Sequence, residues 1–220
     1  MIRYKIYFIK SQKENKYILM IAVIDYKAGN APSVLSAIKH IGFGTNAKLV
    51  SSPSELENAS RIILPGVGSA GATMESLRES GFTESLNKLI LKKSVLFLGI
   101  CVGMQILFEH SEEDNANCLG WFSGRVVKFD KTKVKVPQIG WNKTRFIKDS
   151  LMSKNGEEDY YYFVNSYHVL PEDKNIIMSL TEYDGDFVSS VNHKNIFGAQ
   201  FHVEKSGEAG LELLKRFLEG

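Results

Sequence analysis

Cysteine is scarce in this chain: Cys101 and Cys118 are the two in 220 residues. That excludes a disulfide framework and fits a reducing, cytoplasmic setting, where one cysteine with a histidine elsewhere is a candidate catalytic pair. Long hydrophobic runs are missing near the start. The longest there, ILMIAVI (18–24), ends at Asp25 and falls well short of the ~20 residues of a membrane span. No small-residue cleavage site follows it, so it reads as a buried first strand rather than a signal peptide. Charge favours neither sign: 27 Lys and Arg against 25 Asp and Glu leave a net +2, mixed along the chain. No basic stripe points to nucleic acid, and no acidic tail to a solvating arm. Repeats, low-complexity tracts and interdomain linkers are absent as well. What is present is ordinary for one globular domain: 44% hydrophobic and 24% charged residues, and enough length to bury a core without staples.

The first half alternates short apolar runs with helical patterns. IAVID (21–25), AKLVS (47–51), RIILPG (61–66) and VLFLG (95–99) read as strands. A turn at 27–30 leads to a helix from Ser33 to about Ile41, and two helical segments, 70–80 and 82–93, break near Gly81. A further helix is expected from Cys101 to about His110. The rhythm predicts an α/β fold of three layers, a mostly parallel central sheet with flanking helices. The second half changes to short β-like runs separated by Gly, Asp and Asn, which predict antiparallel hairpins added to the sheet. Residues 206–220 close the chain as an amphipathic helix with Leu211, Leu214 and Leu218 as its apolar stripe. Residues 1–19 stand apart, since the αβ rhythm needs nothing before residue 20. They are either an extra strand and loop or, as favoured here, an upstream leader with Met20 as the working start; the domain proper is 20–220.

GICVGMQ (99–105) carries the chemistry. Gly-x-Cys-x-Gly at a strand-to-helix junction has the form of a nucleophile elbow, in which a tight turn exposes the sulfur and glycines relieve the crowding. The free N–H groups of a following helix favour the thiolate. A small buried thiol is the competing reading, and it holds for Cys118. A thiol nucleophile needs a base and the base an orienter. Of the five histidines, His40 and His110 fall on predicted helices and His193 in a turn. His202 instead ends the apolar run IFGAQF (196–201), and in an extended chain Glu204, two residues on, points the same way. LPGVGSAG (64–71) ends a strand with three glycines and exposes backbone N–H groups. It lacks the Lys and Ser/Thr of a phosphate-binding Walker loop.

GICVGMQ, PGVGSA and QFHVEKSG together resemble the nucleophile, oxyanion and His/Glu motifs of the class I (triad-type) glutamine amidotransferases. IAVIDYKAGN, PQIGWN (137–142), YFVNSYHV (162–169) and GAQFHVEKSG, in that order, resemble the glutaminase subunits of imidazole glycerol phosphate synthases, from about Ile21 to the end. The Met104-Gln105 pair favours these over relatives with His-Gln there. The resemblance implies that Cys101 attacks the side-chain amide of glutamine, His202 shuttles the proton and Glu204 orients His202. It implies an oxyanion site at the backbone of Val67 or Gly68 and of Val102, and a head-group site around Gln105, Ser166 and Tyr167. It calls for no metal or cofactor. The implied partner is a (β/α)8-barrel cyclase subunit in a heterodimer, met by Asn30, Trp141, Tyr162 and Lys205, that uses the ammonia in histidine biosynthesis. Lys27 for Gly, Ala31-Pro32 after Asn30 and Asn165 for His depart from the family pattern. Asn165 falls in the loop near the head group, whereas Lys27 and Ala31-Pro32 fall where the cyclase would be met and keep open a paralogue serving a sugar-amidotransfer partner in surface-polysaccharide synthesis. A non-catalytic scaffold, or a free-standing hydrolase of another amide, are the remaining readings.

Overall fold

The computed structural model describes residues 20–27, 30–183 and 185–220; the expected extension or leader, 1–19, lies outside them, as does the middle of the 27–30 turn. Five parallel strands form the centre: β1 (Ile21–Ile24), β2 (Ala47–Val50), β3 (Arg61–Gly66), β4 (Leu96–Cys101) and, from near the chain's end, β13 (Ile196–Ala199). Their order across the sheet is β2-β1-β3-β4-β13, every pair parallel. β1, β3 and β13 are buried at every residue, which is why they read as unbroken apolar runs: both faces are covered.

The flanking helices are α1 (Ala31–His40), α2 (Ala70–Glu79), α3 (Phe82–Leu86), α4 (Val102–Gln105) and α5 (Gly207–Glu219). α1 starts two residues before the expected Ser33, because Pro32 in a first turn lacks only an N–H that would have no partner there. Gly81, at φ 73°, makes the break between α2 and α3, and α3 runs on into a π-helical turn, Asn87–Lys92. α5 buries Gly210, Leu213, Leu214, Phe217 and Leu218, while Leu211 lies at the flank of the stripe instead of within it. The buried Arg61 guanidinium ties this helix down by donating to the Phe217 carbonyl at 3.1 Å.

One expected element is much shorter. The helix after β4 has four residues instead of ten: from Leu107 the N–H groups tighten to the carbonyl three residues back, and the Glu109 N–H then leaves the segment to pair with the Gly124 carbonyl. His110 therefore sits on a short strand, β5 (His110–Ser111), not on a helix.

Beyond β13 the sheet turns antiparallel through β12 (Asp186–His193), and His193 ends this strand instead of lying in a turn. One branch continues through β10 (Tyr167–Pro171) and β7 (Gly124–Lys128) to β5 and β6 (Ala116–Asn117). The other runs through β11 (Ile177–Glu182) and β8 (Gln138–Phe146) to β9 (Glu158–Asn165). The predicted hairpins thus extend the central sheet from its β13 side, but the run 195–202, expected among them, instead supplies β13 itself, parallel to β4.

Candidate active site

β3, β4 and β13 are neighbours, so three distant segments end at one edge. Gly66 stands level with Cys101 and Ala199 with Ile100, and parallel strands carry their loops on from the same end. Cys101 has φ 56° and ψ −113°, a conformation that costs an L residue about 1–3 kcal/mol. The glycines relieve crowding in a specific sense. A Cβ on Gly99 would collide with the Gly103 carbonyl, and one on Gly103 with the Leu64 carbonyl. Both must be bare for α4 to lie across β3 and β4 and hold the turn. The Cys101 sulfur is 3.8 Å from the Val164 carbonyl and 3.6 Å from Gln200 Nε2.

His202 follows β13 by three residues, and Val203–Lys205 form a single 3₁₀ turn. The extended alignment expected for His202 and Glu204 is therefore not how they meet. The turn itself brings Glu204 Oε1 to 2.9 Å from His202 Nδ1, with both side chains enclosed. Asn30 Nδ2 donates to the same carboxylate oxygen at 2.6 Å. Burial opposes charge on His202, but its hydrogen bonds to Cys101 and Glu204 outweigh that and raise its pKa to about 9. Both partners thus favour a proton on the ring beside the sulfur. The arrangement can supply a thiol nucleophile, a proton shuttle and a carboxylate that fixes the shuttle's orientation.

The other candidates stay apart. His40 is exposed at the end of α1, His110 pairs with Asn115 and His193 is exposed. Burial pushes the Cys118 thiol up to about 11, the setting of an inert cysteine.

A cleft of about 210 Å³ opens over Cys101 and His202. Val67, Gly68, Val102, Gln105, Ser166 and Tyr167, all expected at the site, line it. Asn165, the departure expected near the head group, lines it too, as do Glu113, Pro137 and Val164, to which sequence reasoning assigned no such place. The Glu113 carboxylate accepts from the Ala70 N–H at 2.9 Å, and burial raises its pKa. Gln200, also missed, is fully buried behind the sulfur. Asn165 and Gln138 face each other across β8 and β9. Asn165 Oδ1, Gln105 Oε1 and both amide atoms of Gln138 have no hydrogen-bond partner among the described residues. Beside the cleft, Trp141 and Tyr162 pair edge-to-face at 5.8 Å, with Ile139, Trp141 and Tyr160 more than half exposed. Lys205 is exposed on the turn that holds Glu204, whereas the Asn30 side chain serves that glutamate. Lys27, one of the departures, takes φ 70°, which costs a residue with a Cβ about 1–2 kcal/mol.

Comparison with known proteins agrees with this architecture. The family model "Glutamine amidotransferase class-I" matches residues 22–220, and the chain belongs to that family. Among curated proteins it is 40% identical over 203 residues to the "Imidazole glycerol phosphate synthase subunit HisH" of Leptospira borgpetersenii, covering 90% of this chain and 98% of that one. Methanococcus maripaludis holds two similar relatives. Its HisH 2 is 42% identical and its HisH 1 41%, each aligned over 91% of this chain and 99% of its own. The chloroplastic hisHF of Arabidopsis thaliana is 41% identical over 90% of this chain, which spans 34% of that longer protein. The fold is shared with a chain of the PurLQS structure from Thermotoga maritima, at a TM-score of 0.74 and 19% identity, over 90% of this chain and 97% of that one.

Proposed function

We propose that the chain is the glutaminase subunit of an imidazole glycerol phosphate synthase, hydrolysing glutamine to glutamate and ammonia through Cys101, His202 and Glu204. The Cys101 sulfur attacks the side-chain carbonyl carbon, and the oxyanion takes backbone N–H groups from Val67 or Gly68 and from Val102. The C–N bond breaks as His202 gives its proton to the departing nitrogen, leaving ammonia and a glutamyl thioester. Water then attacks the thioester, His202 takes its proton, and the thiolate leaves with glutamate released. Glu204 holds His202 in one orientation and stabilises its charged form throughout. Gln105, Ser166 and Tyr167 grip the head group, and Glu113 suits the substrate's α-ammonium.

The observation that carries the reading is the placing of Cys101 and His202 in one cleft of amino-acid size at the end of adjacent parallel strands, with Glu204 hydrogen-bonded to His202 at 2.9 Å. Relatives near 40% identity over almost their full length, all carrying the synthase name, support the pathway. The ammonia passes to a (β/α)8-barrel cyclase subunit, bound as a cytoplasmic heterodimer through Trp141, Tyr162 and Lys205. That subunit forms imidazole glycerol phosphate and aminoimidazole carboxamide ribotide, a lyase step of histidine biosynthesis. In the Arabidopsis relative the matching region is part of a longer synthase chain, which supports such a pairing.

Cys101→Ser tests the nucleophile. Glutamine-dependent synthesis by the complex falls at least ~10⁴-fold, while synthesis from added ammonium persists. Glutamine hydrolysis surviving in the variant would place the nucleophile elsewhere. A second reading keeps the chemistry and changes the recipient: a paralogue feeding a sugar-amidotransfer partner. The altered loop at Lys27 and Ala31-Pro32 favours keeping it. No complex with a histidine-pathway cyclase, and no rise in turnover on mixing, would decide for it.

A further inference from the structure

Gln200 is a fully buried polar residue between Ala199, the last residue of β13, and the core residue Phe201. Its backbone N–H is fixed to the Ser189 carbonyl at 2.8 Å, and its side chain lies wholly inside. Its amide then spans two residues of the site. Nε2 donates to the Cys101 sulfur at 3.6 Å, and Oε1 accepts from Gln105 Nε2 at 3.0 Å.

The sense of this series is set by a group that cannot flip. The Tyr167 backbone carbonyl only accepts, and Gln105 Nε2 donates to it at 3.1 Å. With that nitrogen committed as donor, the Gln200 atom facing Gln105 must be its oxygen. The atom facing the sulfur must then be its NH₂ group. A donor at that place matters because the sulfur's other backbone neighbour is the Val164 carbonyl, which suits a thiol and repels a thiolate. Gln105 also lines the cleft, and its own Oε1 has no partner among the described residues. A substrate donor reaching that oxygen would polarise the Gln105 amide, and through it the Gln200 N–H aimed at the sulfur.

We propose that Gln200 is a thiolate-holding residue that couples head-group recognition at Gln105 to the reactive sulfur of Cys101. The coupling half rests on the glutaminase reading above; the contact with the sulfur does not.

The test follows iodoacetamide alkylation of Cys101 against pH in a Cys118→Ser background, beside steady-state glutamine hydrolysis. Gln200→Met keeps the volume and removes the donor; Gln200→Asn keeps an amide but withdraws it by one methylene. Both are expected to move the pH of half-maximal alkylation up by about 1, as for loss of a hydrogen bond to a charged group. Both are expected to lower kcat about 10- to 100-fold with KM within about 2-fold. Gln105→Met, which leaves Gln200 in place but unoriented, is expected to move the alkylation pH the same way and to raise KM as well. A residue that merely fills space would alter melting temperature while leaving the alkylation profile in place. Folded variants with the wild-type profile and kcat overturn the proposal, and Gln200→Asn decides if the Met variant does not fold. Alkylation needs no glutamine. Wild-type protein that hydrolyses no glutamine, with variants that still shift the profile, sinks the glutaminase reading and leaves the sulfur contact standing.

Discussion

The five parallel strands and the antiparallel extension contribute different things to one cleft. Every group proposed to react comes from the parallel side: Cys101 from the end of β4, the Val67–Gly68 loop from β3, His202 and Glu204 from the turn after β13. The walls come largely from the antiparallel side, with Pro137 before β8 and Val164 to Tyr167 at the junction of β9 and β10. The difference follows from the geometry of each part. Adjacent parallel strands buried on both faces fix several loop origins at one edge with little freedom, which is what reacting atoms need. Antiparallel strands with one face open alternate buried and exposed residues. β8 accordingly carries Gln138 inward and Ile139 and Trp141 outward, so the same strand builds a wall and a surface.

The sharpest way to break this contrast is to add one methyl group to a glycine on each side. Gly103→Ala should be the most damaging. Its Cβ would press on the Leu64 backbone carbonyl inside β3, and neither that strand nor α4 can retreat without opening the core. A loss of about 3–5 kcal/mol in urea unfolding is expected. Gly156, before β9, has φ +88° and open space where a Cβ would sit. Gly156→Ala should therefore cost only the left-handed backbone penalty of about 1 kcal/mol. Equal losses at the two positions would mean that the parallel edge is no more tightly set than the hairpins.

The same contrast governs what could be read from the sequence. β1 and β3 were legible because burial on both faces leaves an unbroken apolar run; β13 was read as a strand but among the hairpins, since nothing local shows that it returns parallel beside β4. The elbow at Cys101 was legible because its glycines are local. Residues that act through distant partners left no such trace. Nothing local marks Gln200 as facing a sulfur across the sheet, or Glu113 as entering the cleft from a run of surface-like acids. The helix expected over 101–110 failed for a related reason: Ile106, Leu107 and Phe108 are apolar enough for a helix, but the ladder tightens from Leu107 and the Glu109 amide then finds the Gly124 carbonyl. His202 and Glu204 were paired correctly by spacing through the wrong backbone shape, since two residues apart meet in a tight turn as well as on a strand.

A second, smaller effect tests whether charge is concentrated on the parallel side. His202 titrates at about 9 in the folded chain against an ordinary 6.5, so folding strengthens its hold on a proton. That contribution is fully present below pH 6.5 and is lost as pH rises through about 9. It amounts to on the order of 3 kcal/mol. Urea unfolding of wild type and His202→Gln at pH 6 and at pH 10 should show the wild-type advantage shrinking over that interval. An advantage that stays constant with pH would mean that the imidazole is neutral in the folded protein.

The smallest effect on the fold, and the most specific, belongs to the antiparallel surface. Trp141 is 52% exposed, and the Trp141–Tyr162 pair stands beside the cleft with Ile139 and Tyr160 around it. An aromatic residue so placed contributes little to folding and much to association if a partner covers it. Trp141→Ala is therefore expected to shift unfolding free energy by no more than about 0.5 kcal/mol. By titration calorimetry it should weaken binding of the cyclase by about 2 kcal/mol, roughly 30-fold in Kd. The two numbers must separate for the division of labour to hold. A Trp141→Ala chain that loses stability but binds the cyclase as before would assign this strand to the scaffold, and the partner would have to be sought on the loops of the parallel side.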